Sequence, residues 1–137
     1  MNTPLQALFF VICLFFTTTM FAQNNDLAYA KILDVYGQQF IDNNPELVPV
    51  FRDFLTNRVE YKIENLSTNE KYPKLSEFGL RNKNNPSLSR DLSFDNNNFN
   101  PLKYNISAFE NKTQIIRFDD SNILIIVKPI TYPSNSN

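Results

Sequence analysis

Few side chains in this chain are able to perform acid–base, nucleophilic or metal chemistry. The 137 residues include no histidine and one cysteine, so carboxylates, lysines, arginines and tyrosines are the candidates. Glu60 and Glu64 alternate with Arg58 and Lys62, and two neighbouring carboxylates could serve glycoside hydrolysis. The interleaved positive charges favour the simpler interpretation, a solvated and salt-paired face of a strand.

A second group of oxygen-bearing side chains follows position 90. Asp91, Asp95 and the asparagines at 96–98 could bind calcium, but their spacing does not match the calcium loop of helix–loop–helix proteins. An asparagine-rich surface turn is the favoured interpretation. Asp119 and Asp120 are likewise interpreted as turn residues at the tip of a hairpin. The sequence therefore predicts no metal ion and no cofactor.

Composition excludes several enzyme classes. Without histidine, and with Cys13 inside an N-terminal apolar run, neither a serine–histidine–carboxylate nor a cysteine–histidine nucleophile can form. Gly37 and Gly79 are the only glycines, so no phosphate-binding glycine loop can be built. A small hydrolase that works with carboxylates remains the enzymatic alternative.

The N-terminus has the layout of a secretory signal peptide. The unbroken apolar run Ala7–Phe16 is followed by a polar stretch and by a small residue, Ala22, at a suitable cleavage position. A retained membrane anchor needs about 20 apolar residues, and this run is much shorter. We therefore predict an exported protein, periplasmic or extracellular, with a signal peptide at 1–22, a single domain at 23–130 and a disordered tail at 131–137.

Two helices are predicted after the signal peptide. In the first, Asp26–Ile41, helical spacing places Tyr29, Leu33, Tyr36 and Phe40 on one apolar face. Five tyrosines of the chain could form a stacking platform for sugars or peptides: Tyr29, Tyr36, Tyr61, Tyr72 and Tyr104. The favoured interpretation is a half-buried core position with the hydroxyl at the surface.

The second predicted helix begins at Asn44, whose side chain could cap the first free N–H groups ahead of Pro45. Pro49 removes one backbone hydrogen bond, so we expect a loose first turn and a regular helix to about Thr56. Asn57 is suited to a left-handed residue after the last turn.

Strict alternation of apolar and polar residues predicts a strand at Arg58–Glu64. A hairpin is predicted from Thr113–Phe118 and Ile123–Val127, and the second of these strands should be central because it is apolar on both faces. Asp119–Asn122 is the hairpin loop, and Pro101–Phe109 is a possible fourth strand. The predicted class is α+β, with two N-terminal helices packed on a small, mostly antiparallel sheet of three or four strands. The helices should cover one apolar face of the sheet, which includes Tyr61, Ile63, Ile116 and Phe118.

A long polar stretch, 81–100, separates a short helical turn packed by Leu75 and Phe78 from the C-terminal strands. Isolated apolar residues should pin this stretch to the core: Leu88, Leu92, Phe94 and Phe99. Long irregular segments in small domains are often functional. We therefore predict a binding surface from its polar side chains: Arg81, Lys83, Arg90, Asp91, Asp95 and Asn98.

The C-terminal part resembles a group of bacterial proteins. The run Phe99–Tyr104, then Ile116–Asp119 leading into Ile123–Val127, is similar to small exported proteins of uncharacterised function from Bacteroidota. The junction Phe21–Gln23 resembles the ends of their signal peptides. The resemblance implies an envelope or secreted location and brings no activity.

Taken together, the residues favour a non-enzymatic exported interaction module over the hydrolase. The formal net charge of −1 gives no global field that would attract nucleic acid, and no membrane partner is expected after signal cleavage. The expected partner is a protein, a peptide or a cell-surface polymer.

Overall fold

The fold has two N-terminal helices followed by a three-stranded antiparallel sheet, which confirms the predicted α+β class. The computed structural model describes residues 27–65 and 71–131. The predicted signal peptide, its cleavage after Ala22 and all but the first residue of the predicted tail lie outside the described residues. Within the described ranges, no helix combines the length and the apolarity that crossing a bilayer requires.

Helix α1 covers residues 27–43 of the described chain. Its buried face is centred on Ile32 and Val35, and Tyr36 is also buried. Leu33, which we predicted on the inner face, is 36% exposed. The apolar residues of this helix form two overlapping stripes, so the true inner face is rotated by about one residue from the predicted one.

Helix α2, Leu47–Asp53, continues as a π-helical turn at Phe54–Arg58. Pro49 is the third residue of α2, within the first turn, where its missing N–H has no helical partner to lose. The predicted left-handed Asn57 is wrong, because Asp119 is the only non-glycine residue with a positive φ among those described. The Asn57 side chain instead donates to Asp53 Oδ1 over 2.9 Å, within the continuing helix.

Asn44 caps α1 and not α2. Its Nδ2 donates to the carbonyl oxygen of Phe40 over 2.9 Å, while the first residues of α2 have no side-chain cap. The predicted N-cap role is therefore wrong. The side chain satisfies one of the free carbonyls that every helix leaves at its C-terminal end.

The sheet consists of β1 (Val59–Ile63), β2 (Gln114–Arg117) and β3 (Ile123–Val127), in the order β1-β3-β2. The central position of β3 is as predicted, and Ile125 is fully buried opposite Tyr61 on one side and Ile116 on the other. The hairpin loop between β2 and β3 lies where it was predicted. Its first residue, Asp119, has φ 42°, a left-handed conformation that aspartate tolerates better than most residues.

Two predictions about β1 are wrong. Arg58, expected on the solvated face, is 5% exposed and donates from Nη2 to the carbonyl oxygen of Ala108 over 2.7 Å. Its Nε lies 2.8 Å from Asp53 Oδ2, an ion pair without hydrogen-bond geometry. Ile63, expected under the helices, is 74% exposed because the strand extends beyond the core at this end.

Two short 3-10 turns lie in the described parts of the connections. One, Leu75–Glu77, is the predicted helical turn, with Leu75 buried. The other, Pro101–Lys103, replaces part of the predicted strand at 101–109, which is wrong. Asn100 Oδ1 accepts from the N–H of Leu102, and the proline starts the turn, so local turn chemistry prevails over the apolar pattern.

The stretch 81–100 is irregular and contributes Phe99 to the single hydrophobic cluster that contains most of the buried residues. Leu88 and Phe94 pack against this cluster as expected, but Leu92 is 98% exposed and pins nothing. Two reciprocal bonds attach the end of the stretch to α1. Lys31 Nζ donates to the carbonyl oxygen of Phe99 over 2.8 Å, and Asn100 Nδ2 donates to that of Lys31 over 2.9 Å.

Candidate functional site

Most side chains of the predicted binding surface form hydrogen bonds or ion pairs within the chain. Arg81 is half-buried and donates from Nη2 to the carbonyl oxygens of Tyr104 and Ile106, over 3.3 and 3.1 Å. Its guanidinium also lies 5.9 Å from the ring centroid of Tyr36. Arginine is suited to such internal bonding because its planar group offers several donors at once. Little of Arg81 is left for a ligand.

Arg90 has a similar role beside the first 3-10 turn. Its Nη1 donates to the carbonyl oxygen of Leu75 over 3.3 Å, and its Nη2 donates to that of Phe78 over 2.5 Å. The guanidinium lies 5.7 Å from the ring centroid of Tyr104. Removing this side chain would leave the Phe78 carbonyl without this donor, whereas the Leu75 carbonyl would keep the N–H of Phe78, 3.1 Å away. Arg90 therefore contributes to the order of the stretch.

Asp91 is the acceptor of a small polar network. It accepts from Lys103 Nζ over 2.8 Å and from the hydroxyl of Tyr104 over 2.7 Å, and its own N–H donates to that hydroxyl oxygen over 3.0 Å. The ring of Tyr104 is buried, and this burial is the main reason that the pKa of its hydroxyl is raised. The neutral phenol is therefore retained as a donor to Asp91.

Asp95 and Asn98 form a local turn. Asp95 accepts from the N–H of Asn97 over 3.0 Å and from Asn98 Nδ2 over 2.6 Å. The bond from the Asn97 N–H is the first cause of the lowered pKa of this carboxyl. No group of three or more possible metal ligands occurs among the residues that the structure describes.

Lys83 differs from the other predicted residues because it borders a depression. The depression has a volume of about 470 Å³ and lies between the end of α1 and the start of the stretch 81–100. Asn85 Nδ2 holds these two parts together by donating to the carbonyl oxygen of Asp34 over 2.7 Å. The lining residues are mostly amides and aromatic rings: Tyr36, Gly37, Gln38, Gln39, Phe40, Asn43, Asn44, Lys83 and Asn84.

One residue in the lining of this depression has an unusual backbone conformation. Gly37 has φ +75° in the middle of α1, and a Cβ added there would meet no atom within 4 Å. Conformation rather than space therefore requires glycine, since an L-residue in the left-handed region is strained by roughly 1–2 kcal/mol. Gly37 lines the depression together with its neighbours Gln38 and Gln39.

Stacked rings form the apolar part of the lining. Tyr36 lies between Phe40 and Phe51, with ring centroids 4.7 and 4.6 Å away and interplanar angles of 25° and 13°. Phe40 is the outer ring of this stack, is half-buried and lines the depression. The negative face of an aromatic ring attracts the slightly positive C–H groups of a ligand.

Only some of the polar side chains that line the depression form hydrogen bonds with other described residues. Gln38 donates to Asp42 and Asn44 donates to a backbone carbonyl. Gln39, Asn43 and Asn84 form no side-chain hydrogen bond with any described residue. These three amides were not predicted as site residues, although the amide-rich run at 38–44 is visible in the sequence. Because amides both donate and accept, they can bind hydroxyl groups without a change of protonation.

The carboxylates considered for catalysis are paired elsewhere. Glu60 forms an ion pair with Lys128, and Glu64 forms one with Lys62 over 2.6 Å. Asp120 pairs with Lys74 over 2.6 Å, and Asp119 accepts from the N–H of Ser76 over 2.7 Å. Neither of the two described cavities is lined by two carboxylates.

No protein-family model matches this chain, and neither the curated proteins nor the solved structures contain a significant match. The resemblance to exported proteins of Bacteroidota therefore stays a prediction. Functional inference for this chain depends on the geometry of its own residues.

Proposed function

We propose that this chain is an exported, non-enzymatic binding module whose ligand is a hydroxyl-rich polysaccharide of the cell surface. The observation that carries the proposal is the depression at the end of α1, where an outer aromatic ring lies beside unengaged amides. A sugar ring offers C–H groups to the face of Phe40 and hydroxyls to amides such as Gln39 and Asn84. Binding sites commonly combine apolar rings with a few polar groups in this way.

Order before binding supports the same proposal. Asn85, bonded to α1, holds the segment that carries Lys83 and Asn84 in place. The stack of Phe51, Tyr36 and Phe40 fixes the opposite wall. A site that is ordered in advance loses less conformational entropy when a ligand binds. Since the lining amides do not titrate, the site is suited to holding a ligand rather than to proton transfer.

The test uses affinity electrophoresis with soluble polysaccharides, both neutral ones and one that contains uronic acids. The double variant Gln39→Ala with Asn84→Ala loses two hydrogen bonds of about 0.5–1.5 kcal/mol each, so we expect roughly 5- to 150-fold weaker binding. A matched double variant, Asn96→Ala with Asn111→Ala, removes exposed amides elsewhere and should bind like the wild type.

Two outcomes would contradict the proposal. Wild-type protein that migrates equally with and without every polysaccharide would exclude the ligand class. Undiminished binding by the Gln39→Ala, Asn84→Ala variant, with an unchanged melting temperature, would place the site elsewhere. Export is tested separately: intact mass spectrometry of protein from the envelope or medium should show a chain that begins at Gln23, and a retained full-length species would contradict it.

A further inference from the structure

One edge of the sheet has no neighbour among the described residues. Toward β3, the carbonyl oxygen of Arg58 accepts from the N–H of Lys128, and the N–H of Glu64 donates to the carbonyl oxygen of Asn122, both over 2.8 Å. Since successive residues of a strand direct their backbone groups to opposite edges, Tyr61 and Ile63 direct theirs outward. No described residue forms a hydrogen bond with these outward groups.

The sequence of this edge is complementary to itself. If a second copy of β1 lay antiparallel with Tyr61 opposite the partner's Tyr61, Glu60 would face the partner's Lys62. In the same arrangement the exposed side chain of Ile63 would face the partner's Val59. Opposite charges and apolar side chains in such cross-strand positions stabilise a sheet.

Strand geometry favours this register over its neighbours. Because Tyr61 directs its N–H and carbonyl outward, the two tyrosines can exchange both hydrogen bonds. The charged residues then occupy the pairs without hydrogen bonds, in which opposite side chains are closest. A shift of one strand by two residues would instead place Glu60 opposite the partner's Glu60, or Lys62 opposite the partner's Lys62, and like charges repel.

Ion pairs within each chain extend the complementarity. Glu60 already contacts Lys128, and Lys62 already contacts Glu64 over 2.6 Å, all on the solvated face. Pairing of the two strands would join these pairs into a row of alternating charge. The row runs from Lys128 through Glu60 to the partner's Lys62 and the partner's Glu64.

We infer that this chain forms a two-fold symmetric dimer through antiparallel pairing of two β1 strands centred on Tyr61. The two sheets become one continuous sheet, and the exposed edge is covered. The depression at the end of α1 shares no lining residue with β1, so the inference does not rest on the proposed function. A dimer would nevertheless present the depression twice, which increases avidity for a repeating polymer.

Charge exchange provides the test, on protein purified in the form in which it is expressed. Sedimentation velocity of the wild type should show a concentration-dependent shift from monomer to dimer. Glu60→Lys places two lysines opposite each other at both symmetric positions, and Lys62→Glu places two glutamates there. Each variant should raise the dimer dissociation constant by roughly tenfold or more.

Mixing the two variants is the decisive step. A heterodimer of Glu60→Lys with Lys62→Glu has opposite charges at both positions, so native mass spectrometry should show it in excess over either homodimer. The matched controls Glu110→Lys and Lys112→Glu change the same charges at the same spacing on exposed residues outside the strand, and they should dimerise like the wild type.

Three results would overturn the inference. The first is a wild type that remains monomeric at its highest soluble concentration. The second is a dimer whose dissociation constant does not respond to either reversal while circular dichroism shows folded protein. The third is an equimolar mixture with no preference for the heterodimer.

Discussion

The two edges of the sheet differ in whether another described segment of the chain lies beside them. At the edge of β2, the N–H of Arg117 donates to the carbonyl oxygen of Pro73 over 2.9 Å, and Lys74 forms a parallel bridge with the same residue. At the edge of β1, the described residues offer no such neighbour to Tyr61. A short segment before the first 3-10 turn covers one edge, whereas the other edge displays charges that alternate in sign.

This difference shows two ways of managing an exposed strand edge. A covering segment satisfies backbone groups within the molecule, and here it is fastened by Ser76, whose N–H donates to Asp119, and by the ion pair of Lys74 with Asp120. An uncovered edge must either resist pairing or pair with a suitable partner. Four substitutions or measurements test how far the two edges differ.

The strand between the edges should give the largest effect. Ile125 is fully buried and contacts both neighbouring strands, so Ile125→Ala should destabilise the protein by about 2–5 kcal/mol through lost transfer energy and a cavity. Urea denaturation measures the change. Leu92→Ala, on a leucine that is 98% exposed, is the matched control and should leave the midpoint within error. An unchanged midpoint for Ile125→Ala would contradict the central position of β3.

The covered edge should loosen when Asp119 is replaced. Asp119→Ala loses the bond from the Ser76 N–H and replaces an aspartate with a residue that tolerates φ 42° less well, with an expected cost of about 2 kcal/mol. Asp119→Gly keeps the backbone relaxed and loses only the bond, so its cost should be smaller. Asp119→Asn keeps an acceptor oxygen and should resemble the wild type. Equal thermal stabilities for all three variants would show that this contact does not fasten the edge.

Amide hydrogen exchange compares the two edges directly. The bonded N–H of Arg117 should exchange at least about tenfold more slowly than the outward N–H of Tyr61 in dilute, monomeric protein, because an unbonded edge amide needs no opening of the sheet. If the strands pair, raising the protein concentration should slow exchange of the outward amides of β1, including that of Tyr61, but not exchange of the Arg117 amide. Equal protection of both amides in dilute protein would mean that the β1 edge is covered.

The smallest expected effect is the loss, at low pH, of the ion pair that fastens the covering segment. The hydrogen bond from Lys74 Nζ, together with the positive charge of that group, holds the pKa of the Asp120 carboxyl below its ordinary value of 3.8. Because the folded pKa is depressed, this pair stabilises the fold above the unfolded pKa, and the contribution disappears as the pH falls through the folded pKa, below about 4. In Lys74→Met, NMR titration should show a higher pKa for Asp120, and an unchanged value would exclude the pairing in solution.

Strand periodicity predicted the sheet well because its signals are local. The bounds of β3, its central position and the hairpin loop follow from an apolar run next to turn residues. The buried face of α1 was predicted less well than the sheet, since apolar residues on both sides of Leu33 allow two orientations of this helix. The burial of Arg58 depends on a carbonyl that is 50 positions away in the chain, and no local pattern reveals such a partner.

Of the residues predicted to form the binding surface, only Lys83 lines the candidate site. The polarity of residues 81–100 led us to predict Arg81, Arg90 and Asp91 as binding residues. Polar side chains in an irregular stretch also form the hydrogen bonds that the chain needs internally, and these three do so. Which of them remain available depends on tertiary contacts. The wall contributed by α1 was missed because it becomes part of a depression only where the end of this helix lies next to a distant segment, residues 83–85.

The ring stack beside the depression gives the protein an internal spectroscopic reporter. The ring protons of Tyr36 lie between the ring currents of Phe40 and Phe51 and should therefore resonate far upfield. The chain has no tryptophan whose indole currents would obscure this signal. A ligand that settles on the outer face of Phe40 should tilt that ring and shift the Tyr36 resonances, so occupancy can be followed without a label.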